Sequence, residues 1–281
     1  EAAFAARVGD TMTPEQHLWG PRDYYKGDFY RNATAHFASE TGYHGCPSVA
    51  SIRRFLTEDA LWPYTDNGEW LLHASSPTDK PDEPFAYRIE LMAKQIRVLF
   101  GGDAGSLEEF SLLSQISQAE AKKYFIERFR MGKWRRTGII WWNVIDGCPQ
   151  FSDAVVDYYF DKKLAYGYIK RSQETVALMC DEPDENARVR LMGVNDCGEA
   201  KRVRYRVVDV VTERVAAEAD ALLPGDSAIE IGLLDTGGRR AFYGIEWTVD
   251  GRRCRNHYVA WEAPFDREEY VRCARKAGVM E

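Results

Sequence analysis

The pattern of apolar and polar residues changes near residue 174. Before this point, apolar residues recur at helical spacing or form short continuous runs. The spacing predicts a helix over 106–130, with a capping box at its start. The run 135–146 is continuous, β-branched and aromatic, which is typical of a strand buried on both faces, and 153–172 again favours a helix. Helix, strand and helix in this order predict parallel strands.

After residue 174 the pattern is that of a β-protein. Six short apolar runs, several of them alternating, are separated by turn-forming stretches such as "DEPDEN" and "LPGDS". The pattern predicts a small antiparallel β-sandwich of the immunoglobulin-like kind, followed by a short closing helix. The chain therefore divides into 1–173 and 174–281. Residues 57–105 are rich in loop formers, and an ordered segment of that kind usually has a role such as covering a cleft.

Composition excludes several classes of protein. The 281 residues are 45% hydrophobic and 29% charged, as in ordinary soluble proteins. The net charge of −7 argues against a nucleic-acid partner, and no apolar run is long enough to span a bilayer. No signal peptide opens the chain, so we expect a cytoplasmic location, with a periplasmic or secreted one left open. Because the chain lacks a starting methionine, we expect it to be a piece of a longer protein.

Cysteine and histidine give no sign of a metal site or of a cofactor. The six cysteines form no Cys-x-x-Cys pair, and no histidine lies at zinc-ligand spacing from them. We interpret them as free thiols and predict no metal and no cofactor. No serine lies in a recognisable nucleophile elbow, so a Ser–His–Asp mechanism has no support either.

Aromatic residues are frequent, with eight Trp, fifteen Tyr and thirteen Phe. In an acidic protein this favours a carbohydrate site, where sugar rings stack on indole and phenol rings. Aromatic residues also fill ordinary cores and interfaces. Composition alone leaves both interpretations open.

Three runs place polar or aromatic groups where a strand is predicted to end. They are "QHLWGPRDYY", "HFASETGYHGCPS" and "GIIWWNVIDGCPQFSD". The carboxyl ends of parallel barrel strands converge on one mouth. The runs therefore offer five side chains to one pocket, namely His17, Trp19, Glu40, Trp142 and Asp146. The simpler interpretation of Glu40 alone, a charge that meets solvent at a strand end, competes with this one.

Two of these runs resemble glycoside hydrolase family 2, and most closely its β-mannosidase branch. The family's nucleophile run is matched in register by Phe37, Ser39, Glu40, Gly42, Tyr43, Pro47 and Ser48. The family's last barrel strand is matched by Gly138, Trp142 and Asp146. Ile145 replaces an asparagine of that strand, which puts any hydrogen bond at this position in doubt. The β-rich tail resembles the sandwich that follows the family's barrel.

The resemblance implies a multidomain α/β and β fold. Residues 1–173 would form the C-terminal part of a (β/α)8 TIM barrel, and 174–281 the immunoglobulin-like sandwich. Glu40 would be the nucleophile of a retaining β-glycosidase, in which a second carboxyl group serves as acid and base. The family carries that second group in an Asn-Glu pair that this chain does not contain before His17.

The resemblance also implies roles for the other four residues. His17, Trp19 and Trp142 would line the sugar subsite. Asp146 either bonds a sugar hydroxyl or braces the loop after its strand. The expected partners are a β-glycoside substrate, and the N-terminal remainder of the enzyme or a second copy of the chain. We expect the chain alone to be inactive.

Two alternatives remain. The chain could be a non-catalytic carbohydrate-binding or accessory module derived from such an enzyme. Within the enzyme class, β-galactosidase, β-glucuronidase and exo-glucosaminidase share the fold and the chemistry, so the sugar is not determined.

Overall fold

A computed structural model describes residues 13–74 and 87–280 of the chain. Contacts between residues divide the chain into two compact units. The first comprises Glu1–Phe125 with Gly138–Tyr168, and the second comprises Ile126–Thr137 with Ile169–Glu281.

The first unit is built on a three-stranded parallel sheet. Its strands, in the order β1-β2-β3, are β1 (Thr13–Leu18), β2 (Ala35–Gly42) and β3 (Gly138–Trp142). Parallel pairing confirms the prediction from element order. His17 lies opposite Glu40 in the first pair, and Gly42 lies opposite Trp142 in the second. The carboxyl ends of all three strands therefore lie at one edge of the sheet.

Seven helices and one 3-10 turn are described along the chain. Those before the second unit's strands are α1 (Asp28–Arg31), α2 (Val49–Ile52), a 3-10 turn (Glu58–Ala60), α3 (Gly68–Leu72), α4 (Tyr87–Phe100), α5 (Leu107–Met131) and α6 (Leu164–Ser172). The predicted helix over 106–130 is confirmed as α5, and Ser106 Oγ accepts the Glu109 N–H at 3.2 Å, as in a capping box. The segment 57–105 contains α3 and α4 as well as loops, and its residues 75–86 lie outside the described part.

The helix predicted over 153–172 is wrong in its first half, because α6 begins only at Leu164. The backbone N–H groups of Val155 and Val156 bond to carbonyls that follow β3. Asp157 Oδ1 accepts the backbone N–H groups of Tyr159 and Asp161 at 2.9 and 3.0 Å. Side-chain bonds of this kind compete with helical ones. The apolar residues are buried, but as part of a loop.

That loop is anchored by stacked aromatic rings. Phe151 and Trp70 stack with centroids 4.1 Å apart, and both side chains are fully buried. Burying a side chain of this size contributes on the order of 2–3 kcal/mol. The residues that follow β3 are therefore fixed in the first unit.

The second unit contains two antiparallel sheets. The seven strands are β4 (Val176–Cys180), β5 (Arg188–Asn195), β6 (Lys201–Asp209), β7 (Arg214–Leu223), β8 (Ser227–Asp235), β9 (Phe242–Val249) and β10 (Arg252–Val259). One sheet has the order β10-β9-β6-β7 and the other β4-β5-β8. Residues from both sheets share one apolar core, among them Leu178, Leu191, Val203 and Ile245. The closing helix α7 (Arg267–Lys276) begins at Asp266, whose side chain accepts the Glu269 N–H.

The predicted combination of an α/β part with an antiparallel β part is thus confirmed, whereas the predicted barrel stays a prediction. The chain combines a mixed α/β unit with antiparallel sheets that are consistent with the predicted sandwich. Six of the strands in the second unit coincide with the six predicted runs, and β7 was not predicted. Three parallel strands do not by themselves define a barrel. None of the helices within 13–74 and 87–280 is long and apolar enough to cross a membrane.

Candidate active site

A hydrogen bond at the ends of β1 and β2 forms the centre of the site. Trp19 Nε1 donates to Glu40 Oε1 at 2.7 Å. The Glu40 side chain is 32% exposed, so the other carboxylate oxygen can meet a ligand. Because β1 and β2 are parallel neighbours, their register brings the indole and the carboxylate together. The bond fixes the orientation of the carboxylate before any substrate arrives.

Gly42 makes room for this indole. A Cβ atom at Gly42 would lie 2.2 Å from Trp19 Cη2 and 2.9 Å from Asp153 Oδ1. Distances this short do not occur between a real Cβ and its neighbours. Gly42 is therefore required by the close approach of Trp19 to the strand.

His17 lies beside Glu40 but faces mainly other groups. Its Nε2 is 4.0 Å from Glu40 Oε2, and its Nδ1 lies 2.8 Å from Ser39 Oγ and 3.1 Å from Glu15 Oε1. Ser39 Oγ also donates to the Glu15 carboxylate. The bonds from Ser39 and His17 hold the pKa of Glu15 below its usual value. Glu15 is therefore a charged group rather than a proton donor.

A cleft of about 500 Å³ opens over Glu40, a size that suits a small ligand. Its walls are formed by Trp19, Arg22, Glu40, Tyr87, Arg88, Trp142, Asn143, Gln150, Ser152 and Asp153. Trp142 is 51% exposed, so its indole is available to a ligand. The structure thus brings Trp19, Glu40 and Trp142 to one cleft, whereas His17 lies next to it.

One wall of the cleft was not predicted from the sequence. The Arg22 guanidinium lies 5.1 Å from the centre of the Trp19 ring and donates to the Tyr87 hydroxyl at 2.8 Å. Cation–π contacts of this kind stabilise both groups. Arg22 follows Trp19 closely in the chain, but only the fold shows that Tyr87 meets it.

Asp146 lies under the cleft and is not one of the residues that line it. Its side chain is buried, and its Oδ1 accepts bonds from Gln150 Nε2 at 2.8 Å and Ser152 Oγ at 2.6 Å. Burial raises the pKa of the Asp146 carboxyl. Gln150 and Ser152 do line the cleft. Of the two predicted roles, this geometry favours bracing of the loop, and a bond to a sugar hydroxyl stays a prediction.

Charged side chains lie beneath the cleft. Lys122 Nζ donates to the Trp142 carbonyl, and burial lowers the pKa of this lysine to about 7. Lys163 Nζ donates to the Gly45 carbonyl at 2.6 Å, and burial lowers its pKa too. Both amines thus hold backbone at the ends of β2 and β3.

His44 is fully buried, with its Nδ1 3.3 Å from Asp153 Oδ1. Burial lowers the pKa of this histidine to about 4, more than Asp153 raises it. His44 is therefore neutral at pH 7. In the described residues no group of three His, Cys, Asp or Glu side chains could hold a metal ion.

Comparison with known proteins identifies the fold. No protein-family model matches the chain. A β-D-mannosidase from Dictyoglomus thermophilum has a similar structure, with a TM-score of 0.71 and 23% identity over 92% of this chain and 31% of the mannosidase. The Amycolatopsis orientalis exo-chitosanase CsxA gives a TM-score of 0.63 and 17% identity over 89% of this chain and 30% of the exo-chitosanase.

A curated relative is also similar in sequence. The exo-β-D-glucosaminidase of Arthroderma benhamiae is 30% identical over 156 residues, which are 53% of this chain and 17% of the relative. The chain therefore spans less than a third of the length of the proteins that it matches.

The chain thus has the fold of part of these two proteins, the β-D-mannosidase and the exo-chitosanase. More particularly, the resemblance to glycoside hydrolase family 2 that the motifs predict is confirmed.

Proposed function

We propose that this chain is the part of a retaining β-glycosidase that carries the nucleophile, Glu40. The observation that supports it most strongly is the position of Glu40 at the carboxyl end of β2. There the carboxylate is held by Trp19 and borders a cleft with the exposed indole of Trp142. We further propose that β1, β2 and β3 are the last strands of a (β/α)8 barrel, whose active sites lie at the carboxyl ends of the strands.

In this mechanism Glu40 attacks the anomeric carbon of the sugar, and the bond from that carbon to the leaving oxygen breaks. A general acid gives its proton to the leaving oxygen. The resulting glycosyl–enzyme ester is then attacked by water, which the same residue deprotonates, and Glu40 is released. Trp19 binds one oxygen of Glu40, so Oε2 is the one left to attack.

We propose that the acid and base comes from residues outside this chain, as the family resemblance implies. Glu15 does not suit the role, because its hydrogen bonds favour the ionised form. Asp153 is buried against His44. The chain alone is then expected to bind a sugar weakly and not to hydrolyse it, and to associate with the remainder of the enzyme or with a second copy.

The proposed substrate is a terminal β-mannoside, since the nucleophile run matches the β-mannosidase branch in register. A panel of nitrophenyl β-glycosides, including the mannoside, glucosaminide, galactoside and glucuronide, tests this with the complete protein. The largest kcat/KM identifies the sugar.

Trapping of the nucleophile tests the reaction itself. A 2-fluoro glycoside of the preferred sugar should leave a sugar on the peptide that contains "FASETGY", detected by mass spectrometry after proteolysis. The Glu40→Gln variant should take up no label, and the Glu15→Gln variant should be labelled as the wild type is. A label on a different peptide would place the nucleophile elsewhere.

A carbohydrate-binding module is the second candidate. The half-exposed Trp142 in a wide polar cleft favours sugar binding whether or not Glu40 reacts. A complete protein that binds the glycosides in calorimetry, but neither hydrolyses them nor takes up the label, would establish this alternative.

A further inference from the structure

Asp153 is a second carboxylate of the cleft, and the proposed mechanism does not use it. Its side chain is only 3% exposed, yet it forms part of the wall of the cleft. Asp153 Oδ1 is buried and accepts no hydrogen bond from the described residues. The nearest donor is His44 Nδ1, at 3.3 Å, which also has no hydrogen-bond partner among those residues.

The backbone around Asp153 is held in place independently of any ligand. Gln118 Nε2 donates to the carbonyls of Tyr43, Asp153 and Ala154 at 3.0, 3.0 and 3.2 Å. Gln118 can lie this close because Gly45 has no side chain: a Cβ there would be 2.2 Å from Gln118 Oε1. A binding group is most effective when its support fixes it in advance. Asp153 is thus preorganised.

The unmade hydrogen bonds of Asp153 point to a ligand. A carboxylate oxygen that is withdrawn from water and left without a donor, as Asp153 Oδ1 is, destabilises the folded protein. An unsatisfied buried oxygen on a residue that borders a cleft is a candidate contact for a ligand. Gln118 fixes the backbone carbonyls of Asp153 and Ala154, so the loop sets the position of this side chain at the cleft. A ligand in the cleft supplies donors at this position.

The charges around Asp153 determine what kind of donor fits. Lys122 and Lys163 are close enough to act on Asp153 electrostatically. Arg22 and Arg88 border the same cleft. A ligand ammonium group would meet the positive guanidinium groups of Arg22 and Arg88, whereas a hydroxyl is a neutral donor. Sugars carry several hydroxyls at fixed positions on the ring.

We infer that Asp153 is a substrate-binding residue that accepts a hydrogen bond from a ring hydroxyl of the sugar in the cleft. This inference rests on the proposed function for the identity of the ligand. It assigns to Asp153 part of the selection among sugars, because a carboxylate fixed by its support recognises a hydroxyl at only one position and orientation.

The test compares Asp153→Asn with the wild type on an aryl β-glycoside and its monodeoxy analogues, using the complete protein. We expect kcat/KM of the parent glycoside to fall about 10- to 100-fold, as for loss of a hydrogen bond to a charged group. The monodeoxy analogue that lacks the hydroxyl bonded by Asp153 should react equally with both proteins, because neither protein can form that hydrogen bond with it. Labelling of Glu40 by the 2-fluoro glycoside should persist.

Asp157→Asn is the matched control. Asp157 is a buried carboxylate of the same loop that binds backbone N–H groups and is not one of the cleft's lining residues. Its replacement should leave the ratios among the monodeoxy analogues unchanged. If Asp153→Asn does not fold, a crystal structure of the wild type with a bound sugar decides: a hydroxyl oxygen within about 3.0 Å of the Asp153 carboxylate supports the inference. A sugar bound without that contact contradicts it.

Three results would overturn the inference. The first is an unchanged kcat/KM in Asp153→Asn, and the second is an equal loss on every monodeoxy analogue. The third is coupling of Asp153 to the amino group of a glucosaminide rather than to a hydroxyl.

If the wild type neither hydrolyses the glycoside nor takes up the label, the proposed function fails separately from this inference. Calorimetry then compares binding of the aryl β-glycoside by Glu40→Gln and by the double variant Glu40→Gln, Asp153→Asn. We expect a Kd about 10- to 100-fold weaker for the double variant. An equal Kd would contradict the inference.

Discussion

The two units of the chain place their charged side chains differently. The first buries several ionisable side chains around the cleft, namely Lys122, Asp146, Asp153, Asp157 and Lys163, together with the neutral His44. In the second, ion pairs such as Arg204 with Asp220 and Arg253 with Glu246 lie on the exposed face of a sheet. Buried charges are costly and persist where chemistry needs them, whereas exposed pairs contribute little. The burial of a charged side chain is thus more informative about a functional site than the net charge of the chain.

Tryptophan shows the same contrast. Trp142 of the first unit is half exposed at the cleft, although the strand that carries it was predicted to be buried on both faces. Trp247 of the second unit is 2% exposed and belongs to the apolar core of the sheets. One residue type therefore lines a cleft in one unit and fills an apolar core in the other.

Removing the charge of Glu40 should have the largest effect. Glu40→Gln keeps the shape of the side chain but cannot attack the sugar, so kcat of the complete protein should fall by several orders of magnitude. The melting temperature should change little, because the side chain is partly exposed. Steady-state kinetics with a nitrophenyl glycoside measures this. Turnover close to that of the wild type would remove Glu40 from its proposed role.

The two tryptophans should respond in opposite ways to replacement by alanine. Trp247→Ala should lower the free energy of unfolding by about 3–5 kcal/mol, with normal kinetics for the folded fraction. Trp142→Ala should instead lower kcat/KM by about one to two orders of magnitude, at about 1.4 kcal/mol per tenfold, with little loss of stability. Urea unfolding and steady-state kinetics of both variants separate the effects. Equal destabilisation would make Trp142 a core residue.

The buried side chain of His44 should make the free energy of unfolding depend on pH. Its pKa is about 4 in the folded protein against an ordinary value of 6.5, so between these values the unfolded chain binds a proton that the folded one does not. Stability from this group is therefore complete above pH 6.5 and is lost as the pH falls towards 4, by at most about 3 kcal/mol. Urea unfolding at pH 7 and pH 4.5 should show a smaller difference for His44→Gln than for the wild type. An identical difference would show that His44 does not titrate in this way.

Arg204→Ala should have the smallest effect. The Arg204 side chain is 78% exposed and meets Asp220 across β6 and β7. Exposed pairs of this kind contribute little, because solvent screens them and both side chains lose freedom. Neither the melting temperature nor kcat/KM should change measurably. A loss of stability like that of the Trp247 variant would contradict the contrast between the two units.

Regular, periodic elements of the fold could be predicted, and irregular ones could not. Helix α5 follows directly from its spacing and its capping box. The loop 153–163 has a helix-like pattern, but the Asp157 side chain and the end of β3 take its backbone N–H groups. Strand β7 is rich in alanine and acidic residues, which carry weak strand propensity. Its pairing with β6 makes it a strand, and that information lies outside the segment.

The candidate site was predictable where it depends on strand ends. Parallel strands with known ends place Trp19, Glu40 and Trp142 together without further information. The bond from Trp19 to Glu40 depends on the space at Gly42, which only coordinates reveal. Asp153 lies in the loop that was predicted as helix, so its place in the cleft could not be found from the local pattern.

The hydrogen bonds of Gln118 connect parts of the site that lie far apart in the sequence. Its amide joins carbonyls that lie 75 and 35 residues away in sequence. Contacts over such separations form only after the intervening chain has been ordered, at an entropic cost. The thirteen residues around Glu40, transplanted into another protein, would bring the proposed nucleophile without the residues that support its cleft. A search that recognises those thirteen residues therefore finds the proposed nucleophile, whereas Asp153, which we propose to contact the sugar, lies outside them.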